Sequence, residues 1–424
     1  MRTTIKIGAL ATAAALALTA CSSSDDSASS GSSGDAAGKT LVVATDLPLQ
    51  GTAKDSQEST NNMVKLLLEQ QGNKAGSYNI ELKEYDNATA AKGAWDDATC
   101  AKNAQDHVAN ADEVAVMGTF NSGCAKIIVP VLNQDPNGPM LMVSNANTNV
   151  GLTKPWEPGE PDKFYPTGVR NYARVITTDD VQGAANAQFL ARDKGVKSCY
   201  VINDNQTYGQ GVAKSFADNA VKEGITILGN DAWDIKQPNY KSLFEKIKAT
   251  DPDCLFIGGI YDNNGGQLIK DKVAVLGNNT DVITMAPDGF TGYPAFQAQP
   301  EAEGVFLSFP GLDQATLLAN GGAGADLVNA YKEKYGADPV GSYPLYGAAA
   351  MQVILKAIGQ SDGTRKGIVS QVLGVSTPLT IPADQSVIGK EIIIDPQTGD
   401  TNNKDISILV IKDNKESLVK PWIL

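Results

Sequence analysis

The chain has 424 residues, of which 42 % are hydrophobic and 20 % are charged, with a formal net charge of −13 and a single histidine. This acidic balance argues against binding to nucleic acid or to anionic lipid surfaces. Residues 40–424 form the body of the chain and are numerous enough for two domains.

The chain begins with the three parts of a secretory signal: Arg2 and Lys6, an apolar run over residues 7–18, and a small-residue exit before Cys21. A cysteine directly after the exit resembles a bacterial lipobox, which implies that Cys21 is acylated and becomes the mature N-terminus. An ordinary signal peptide is the alternative, whereas a spanning helix would need a longer and more apolar segment. We predict that residues 1–20 are a signal peptide and that the protein works outside the cytoplasm, anchored to the cell membrane by lipid.

Residues 22–39 are rich in Ser, Gly and Asp and contain almost nothing that a core would bury. Such a composition is typical of a flexible segment. Residues 21–39 are therefore predicted to be the lipidated cysteine and a tether.

Short apolar runs then alternate with longer amphipathic segments, and this rhythm occurs twice. The pattern is typical of parallel sheets covered by helices on both faces. It predicts an α/β fold with two doubly wound parallel-sheet lobes. The predicted strands are Leu41–Thr45, Ile80–Tyr85, Val114–Gly118, Met140–Val143, Cys199–Asn203, Ile225–Asn230, Cys254–Gly258, Val282–Ala286, Gly304–Ser308, Ile392–Ile394 and Ile406–Ile411. The predicted helices are Asn61–Gln70, Ala90–Ala109, Ser122–Gln134, Val181–Lys194, Gly211–Glu223, Tyr240–Ala249, Gly266–Leu276, Ala325–Tyr335 and Tyr346–Ile358.

Four cysteines lie beyond Cys21, and an even number in an exported protein favours disulfides. Cys199 and Cys254 open the first and third strands of the second lobe, which are neighbours in a 2-1-3-4-5 sheet. The strand spacing is close to the Cα separation that a disulfide tolerates. Pairing Cys100 with Cys124 and Cys199 with Cys254 keeps each bridge within one lobe. Four buried free thiols are the alternative, and one histidine without a C-x-x-C pair argues against zinc.

Polar clusters follow three of the predicted strands, at the sheet edge where α/β proteins bind ligands. Ser122, in Gly118–Gly123, is placed to begin a helix whose free N–H groups favour an anion. Ser144–Thr148 offers hydroxyls and amides beside it, and Asp288 offers a negative charge from the second lobe. Each cluster alone would also suit a structural cap or turn. Together they predict a zwitterionic ligand, with its carboxylate near Ser122 and Thr148 and its ammonium at Asp288.

The order and spacing of several short motifs resemble the leucine/isoleucine/valine-binding family of type I periplasmic binding proteins, which serve ABC transporters. The resemblance spans most of residues 41–424. The motifs are Tyr85–Asn87, Gly118–Ser122, Ser144–Thr153, Asn203–Gly211, Leu255–Gly259, Ala286–Gly289 and Glu303–Val305.

The resemblance implies a set of ligand contacts in this chain. Ser122, Ala146 and Thr148 would bind the α-groups of an amino acid together with Asp288, and Tyr208 would line the cleft. Neighbouring positions with a weaker claim to the ligand are Asn121, Gly123, Ile260 and Tyr261.

Three positions depart from the family pattern. Asp288 replaces the usual glutamate, the tyrosine that the family often carries near the first turn is absent around Gly51–Ala53, and Ile260 stands where an aromatic residue is common, with Tyr261 beside it. The α-group pocket therefore looks retained, while the side-chain pocket is altered. The identity of the solute stays open, with a polar or larger amino acid or an amide-like compound among the candidates.

The resemblance also implies three hinge crossings, near Tyr172–Thr178, Phe309–Leu312 and Thr398–Asp405. Residues 40–172 with 309–400 would form the first lobe, and residues 173–308 with 401–424 the second. Hinge closure over a solute would present a recognisable shape to a membrane permease. We expect a monomeric solute-binding protein of an ABC importer.

Two other classes of function were weighed against this one. A ligand-sensing receptor domain would use the same cleft, but the sequence has no signalling domain. A hydrolase with Ser122 as nucleophile is disfavoured because no G-x-S-x-G surrounds it and His107 is predicted to be a surface residue. Asp395–Asp400 lacks EF-hand spacing, and no G-K-[ST] follows the paired glycines near Gly258 and Gly265. The sequence predicts neither an enzyme nor a metal or cofactor site.

Overall fold

The computed structural model describes residues 38–422. The predicted signal peptide, Cys21 and most of the predicted tether lie outside these residues. Within them, no helix has both the length and the apolar character that crossing a membrane requires.

The described part of the chain contains seventeen strands and twelve α-helices, together with four 3-10 helices and a π-helical segment that continues α4. The strands are β1 (Thr40–Leu47), β2 (Lys74–Ala75), β3 (Tyr78–Asp86), β4 (Ala88–Thr89), β5 (Ala94–Trp95), β6 (Glu113–Gly118), β7 (Leu141–Ser144), β8 (Tyr172–Arg174), β9 (Ser198–Asn203), β10 (Thr226–Ala232), β11 (Cys254–Gly258), β12 (Ile283–Ala286), β13 (Phe306–Phe309), β14 (Thr380–Ile381), β15 (Ile392–Ile393), β16 (Ile406–Lys412) and β17 (Lys415–Trp422). The helices are α1 (Lys54–Gln70), α2 (Asp97–Ala109), α3 (Ser122–Asn133), α4 (Asp179–Gln188), α5 (Thr207–Lys222), α6 (Lys241–Lys248), α7 (Gly265–Leu276), α8 (Pro294–Gln297), α9 (Gln314–Asn320), α10 (Ala323–Tyr335), α11 (Tyr343–Gly359) and α12 (Arg365–Val372).

Two separate sheets form the centres of two lobes. The first has the order β2-β3-β1-β6-β7-β8 and the second β10-β9-β11-β12-β13-β16-β17. In each, five successive parallel strands run in the order 2-1-3-4-5, as the sequence predicted for the second lobe. Because β16 pairs antiparallel with β13 and β17 pairs antiparallel with β16, the end of the described chain continues the second sheet and belongs to the second lobe.

The chain passes between the two sheets three times. Residues 175–178 lead from β8 to α4, residues 310–313 lead from β13 to α9, and residues 402–405 lead back to β16. Between the second and third passages, α11 packs on α1 and against β6 and β7. The segment that follows the second sheet therefore completes the first lobe, and the two lobes share three connections.

Residues 88–95 form a β-hairpin, so the predicted helix over Ala90–Ala109 is too long at its start. The helix begins only at Asp97, because the carboxylate of Asp96 accepts a hydrogen bond from the Thr99 N–H at 3.0 Å and caps it. Gly93, with φ +62°, turns the preceding hairpin of β4 and β5. The alanine-rich composition of this stretch favours a helix, but the turn at Gly93 and the cap at Asp96 prevent the helix from starting before Asp97.

Both predicted cysteine pairs are bonded in the structure. Cys100 and Cys124 join α2 to α3 with a Cα separation of 5.6 Å, and Cys199 and Cys254 stand opposite each other on β9 and β11 at 4.5 Å. Each bridge lies inside one lobe and is fully buried.

Removing the bridge of the second lobe is expected to lower the free energy of unfolding by about 4 kcal/mol, from the chain entropy of the loop that it closes. The loop is long because the two cysteines are 55 positions apart. Urea denaturation of Cys199→Ala/Cys254→Ala measures the loss, and Cys100→Ala/Cys124→Ala, whose separation is 24, should lose somewhat less. Equal stability of the wild type and the first variant would contradict this expectation.

His107 is fully buried, so its prediction as a surface residue is wrong. Its Nε2 lies 3.0 Å from a carboxylate oxygen of Asp46, and its Nδ1 is hydrogen-bonded to Glu113. Burial alone would lower the pKa of His107, but the hydrogen bonds and charges of the two carboxylates outweigh it and raise the pKa to about 9. The imidazolium therefore lies buried in the first lobe between the carboxylates of Asp46 and Glu113 and balances their negative charge.

The ion pairs of His107 with Asp46 and Glu113 make the free energy of unfolding decrease at alkaline pH. Because the folded pKa of about 9 lies above the unfolded value near 6.5, the contribution is complete below pH 6.5 and lost as the pH rises through 9. The pKa difference corresponds to about 3 kcal/mol. His107 is the single histidine, so one imidazole signal in an NMR titration reports its pKa directly. A midpoint near 6.5 in the folded protein would contradict the expected ion pairs.

Candidate ligand-binding site between the lobes

The two lobes meet around a small buried cavity with a volume of about 20 Å³. Six residues that the sequence singled out line it, three from each lobe. They are Asn121, Ser122 and Ala146 from the first lobe, and Tyr208, Ile260 and Asp288 from the second. Phe120, Tyr343 and Gly289 complete the wall. The polar ends of strands from two separate sheets thus converge on one point, as the sheet topology requires.

Asp288 is held by two tyrosines, one from each lobe. The hydroxyl of Tyr208 donates to its Oδ1 at 2.6 Å, and the hydroxyl of Tyr343, at the start of α11, donates to its Oδ2. Burial raises the pKa of Asp288, and the two phenolic hydrogen bonds oppose part of that rise. The carboxyl group is therefore fixed in direction at the wall of the cavity.

The start of α3 provides an anion-binding end on the opposite wall. Asn121 precedes the helix without a side-chain cap, and its Oδ1 has no hydrogen-bond partner among the described residues. The first-turn N–H groups of this twelve-residue helix carry the positive end of its dipole. Ser122 adds a hydroxyl at the same point, so a carboxylate is the group that this end suits best.

The loop after β7 is held rigidly beside Ser122. The hydroxyl of Ser144 accepts hydrogen bonds from the backbone N–H groups of Ala146 at 3.1 Å and Asn147 at 2.9 Å. The side chain of Asn147 donates to the carbonyl oxygen of Thr119 at 2.7 Å. The two loops that follow β6 and β7 are thereby held together.

Asp179 is a second buried carboxyl group close to Asp288, and sequence analysis did not single it out. It is the first residue of α4, directly after the first passage between the lobes, and it is fully buried. The hydroxyl of Thr148 lies beside its carboxylate and lowers its pKa, and no other hydrogen-bond partner of that carboxylate lies among residues 38–422. Burial, and then the charge of Asp288, raise the pKa of Asp179 well above its usual range. A buried carboxyl without a cationic partner is a site for a cation.

Three residues that the sequence named lie beside the cavity rather than on its wall. Thr148 is buried next to Asp179, with its carbonyl oxygen accepting from the Asp179 N–H at 2.9 Å. Gly123 faces the indole of Trp95, and Tyr261 packs its ring against Phe290. Of the residues around Ile260, only Ile260 itself reaches the cavity.

The sequence offered weak signals for the residues that were missed. Tyr343 comes from a helix of the first lobe that is more than fifty positions beyond Asp288, where no strand end marks it. Asp179 reads as an ordinary acidic residue in the first turn of a helix. Tyr343 reaches Asp288 only where the two lobes meet, and Asp179 reaches it only through the folding of the second lobe.

The cavity is large enough for a water molecule and too small for an amino acid. Entry of a solute therefore requires the lobes to separate. Since Asp288 is bonded to Tyr343 across the lobes, separation breaks this contact and exposes both groups to the solute.

The periplasmic binding protein family model matches residues 40–414, which is nearly all of the described chain. The chain belongs to this family. A Leu/Ile/Val-binding protein of Rhizobium johnstonii, BraC3, is 27 % identical over 69 % of this chain and 71 % of its own length. Several further curated relatives align over about half of their own length.

Solved structures of family members share the fold. The leucine-binding protein of Thermotoga maritima superimposes with a TM-score of 0.72 at 20 % identity, over 90 % of this chain and 98 % of that one. A solute-binding protein of an ABC transporter from R. palustris, in complex with 4-hydroxybenzoate, gives 0.73 at 15 % identity, over 91 % and 97 %. Members of this family are extracytoplasmic solute-binding proteins rather than enzymes, so the hydrolase hypothesis for Ser122 is set aside.

Proposed function

We propose that this protein is the solute-binding lipoprotein of an ABC importer and that it captures an amino acid or a similar zwitterion between its lobes. The observation that carries the proposal is the pairing of opposite binding ends across one cavity. The capless start of α3 with Ser122 suits a carboxylate, and the buried carboxyls of Asp179 and Asp288 suit an ammonium. The separation of these ends across the lobes explains why a solute would favour closure.

The charges support an ammonium between the two acids rather than at Asp288 alone. Asp288 already accepts two phenolic hydrogen bonds, whereas Thr148 is the one polar side chain beside the carboxylate of Asp179 among the described residues. Because Thr148 lies next to Asp179, we propose that it contacts the ammonium rather than the carboxylate of the ligand. One ammonium between two carboxyls leaves one of them protonated, because two buried like charges repel each other.

An aromatic carboxylate is the second candidate ligand, since the R. palustris relative in fold binds 4-hydroxybenzoate. Phe120 and Tyr343 contact each other edge to face beside the cavity, with ring centroids 5.1 Å apart. Such a ligand would satisfy the start of α3 and leave Asp179 and Asp288 without a cation. The two acids therefore favour the amino acid.

A thermal-shift screen of the purified protein separates these ligands. The probes are the common L-amino acids, urea, short amides and 4-hydroxybenzoate. A ligand at about a hundred times its Kd should stabilise the protein by about 2.7 kcal/mol. Ser122→Ala should abolish the shift, whereas Ser370→Ala on the exposed face of α12 should leave it unchanged. A shift with the benzoate alone would overturn the zwitterion site.

We include in the same proposal a lipid anchor at Cys21 and delivery of the solute to a membrane permease. Acylation of Cys21 would hold the protein at the membrane, and the predicted tether of residues 22–39 would reach about 20–25 Å by random-coil scaling. This confinement raises the effective concentration at a permease. Metabolic labelling with a radioactive fatty acid should mark the wild type and not Cys21→Ser, while labelling of neither would overturn the anchor. The three passages at residues 175–178, 310–313 and 402–405 are the proposed hinge.

A further inference from the structure

We infer that Trp95 and the hairpin that carries it divide the cleft into two chambers, and that the second chamber selects amino acids extended by a side-chain amide with a distal carboxylate. The inference rests on the proposed function, because it places the α-groups of the ligand in the small cavity. It concerns the side chain of the ligand, which the contacts to the α-groups do not recognise.

The hairpin of β4 and β5 packs directly on the first turn after β1. Gly51, with φ +78°, lies so close to the hairpin that a Cβ atom there would stand 1.6 Å from the carbonyl oxygen of Gly93. This is the turn where the sequence lacks the aromatic side chain common in the family. The hairpin therefore occupies the space over that turn, and it brings its own aromatic residue, Trp95.

Trp95 extends from the hairpin to the α-group site. Its indole covers Gly123, where a Cβ atom would lie 2.6 Å from the ring, and Gly123 directly follows Ser122 at the start of α3. The half-buried ring also packs against the hydrophobic clusters of both lobes, including the one that contains Tyr208 and Ile260. The indole thus lies between the start of α3, beside the small cavity, and a larger space that the indole itself lines.

That space is a chamber of about 510 Å³ between the hairpin and loops of the second lobe. Its volume lies in the range of small-molecule sites, unlike the cavity at Asp288. The chamber continues along the same two loops that reach the α-group site, because Gln206 and Asp262 line it while Tyr208 and Ile260 line the cavity. A ligand whose α-groups sit at Asp288 would send its side chain past Trp95 into this chamber.

The lining defines the chemistry of that side chain. The amide side chain of Gln206 offers a partner for a polar linkage, whereas the amides of Gln237 and Asn263 also line the chamber but already donate to Asp234 and Asp204. Lys236 adds an exposed ammonium, whereas the carboxylate of Asp262 is already bonded to the hydroxyls of Tyr293, at 2.8 Å, and Thr52. An amide linkage over the indole and a carboxylate at Lys236 fit this arrangement.

Calorimetry with three probes tests the inference on the purified protein: L-alanine, L-glutamine and γ-L-glutamylglycine. They share the same α-groups and differ in the length and charge of the side chain. We expect γ-L-glutamylglycine to bind at least about 10-fold more tightly than L-alanine, the value of one good additional charge-assisted contact. Trp95→Ala should remove this preference and leave L-alanine within about threefold, an effect below 1 kcal/mol.

Two further variants keep the test independent of folding. Trp95→Phe retains an apolar wall and should keep part of the preference. Lys236→Ala should weaken γ-L-glutamylglycine and leave L-glutamine unchanged, with Lys222→Ala on the exposed face of α5 as the matched control. Equal affinity for L-alanine and γ-L-glutamylglycine, or equal losses for both in Trp95→Ala, would overturn the inference alone. Absence of binding by every amino acid would overturn the proposed function and this inference together.

Discussion

Asp179→Asn is expected to weaken amino-acid binding by about 100-fold or more and, at the same time, to stabilise the protein without ligand by about 1–3 kcal/mol at pH 8. The loss of binding follows because the ammonium of the ligand would lose a buried countercharge. The gain in stability follows because a fully buried carboxyl with no hydrogen-bond partner other than Thr148 among the described residues is replaced by a neutral amide of the same shape. A residue kept at a cost to stability is typical of a functional site.

The pH dependence separates this explanation from simple packing. Because the pKa of Asp179 is raised in the folded state, that state binds an extra proton, and stability falls as the pH rises from about 4 through the raised pKa. The stability difference between Asp179→Asn and the wild type should therefore be large at pH 8 and small at pH 4. Thermal denaturation at both values measures it, with the exposed Asp384→Asn as control. Unchanged ligand affinity, or a variant less stable than the wild type at pH 8, would contradict the role of Asp179.

Arg174→Met is expected to lower the free energy of unfolding by about 3–5 kcal/mol, the cost of breaking a buried ion pair from one side. The guanidinium is fully buried at the end of β8. Its Nε donates to Asp400 at 2.8 Å, and its Nη1 donates to the carbonyl oxygens of Asn147 and Asn149 at 3.0 and 2.9 Å. One side chain thus connects the first and third passages between the lobes to the loop that carries Thr148.

Replacing Asp400 as well shows whether the loss of stability comes from its unpaired buried carboxylate. In Arg174→Met/Asp400→Leu the buried carboxylate is gone, so much of the stability should return even though the loop contacts stay broken. The surface variant Arg192→Met, which removes the exposed pair with Glu223, should cost at most about 1 kcal/mol. Urea denaturation measures all three. A loss of stability in Arg174→Met as small as that in Arg192→Met would contradict the stabilising role of the buried Arg174 contacts.

The fold could be predicted because its determinants are local. Strand positions such as Leu41–Thr45 and Cys254–Gly258 follow from apolar runs that both faces of a parallel sheet bury, and β11 has the predicted bounds. The positions of Cys199 and Cys254 in that layout were enough to place them side by side. Ser122, Ala146 and Asp288 follow the same logic, because the carboxyl ends of parallel strands meet at one edge of a sheet, whereas Tyr208 followed only from the family resemblance.

The remaining features depend on contacts that the sequence does not display. Tyr343 reaches Asp288 only because the chain returns to the first lobe, and His107 is buried because Asp46 and Glu113 balance its charge. Asp179 was missed because an acid in the first turn of a helix is common and ordinarily exposed. The hairpin before α2 was missed because a short alanine-rich stretch suits a helix until Gly93 turns it.

Native mass spectrometry tests the central claim most directly. The purified protein is incubated with an equimolar mixture of the common L-amino acids, desalted and weighed beside Asp288→Asn and Asp384→Asn. The wild type and Asp384→Asn should each carry one ligand with the mass of an amino acid, and Asp288→Asn should carry none. A wild type without a bound ligand, or an Asp288→Asn variant that retains the same ligand, would contradict a zwitterion held between the lobes.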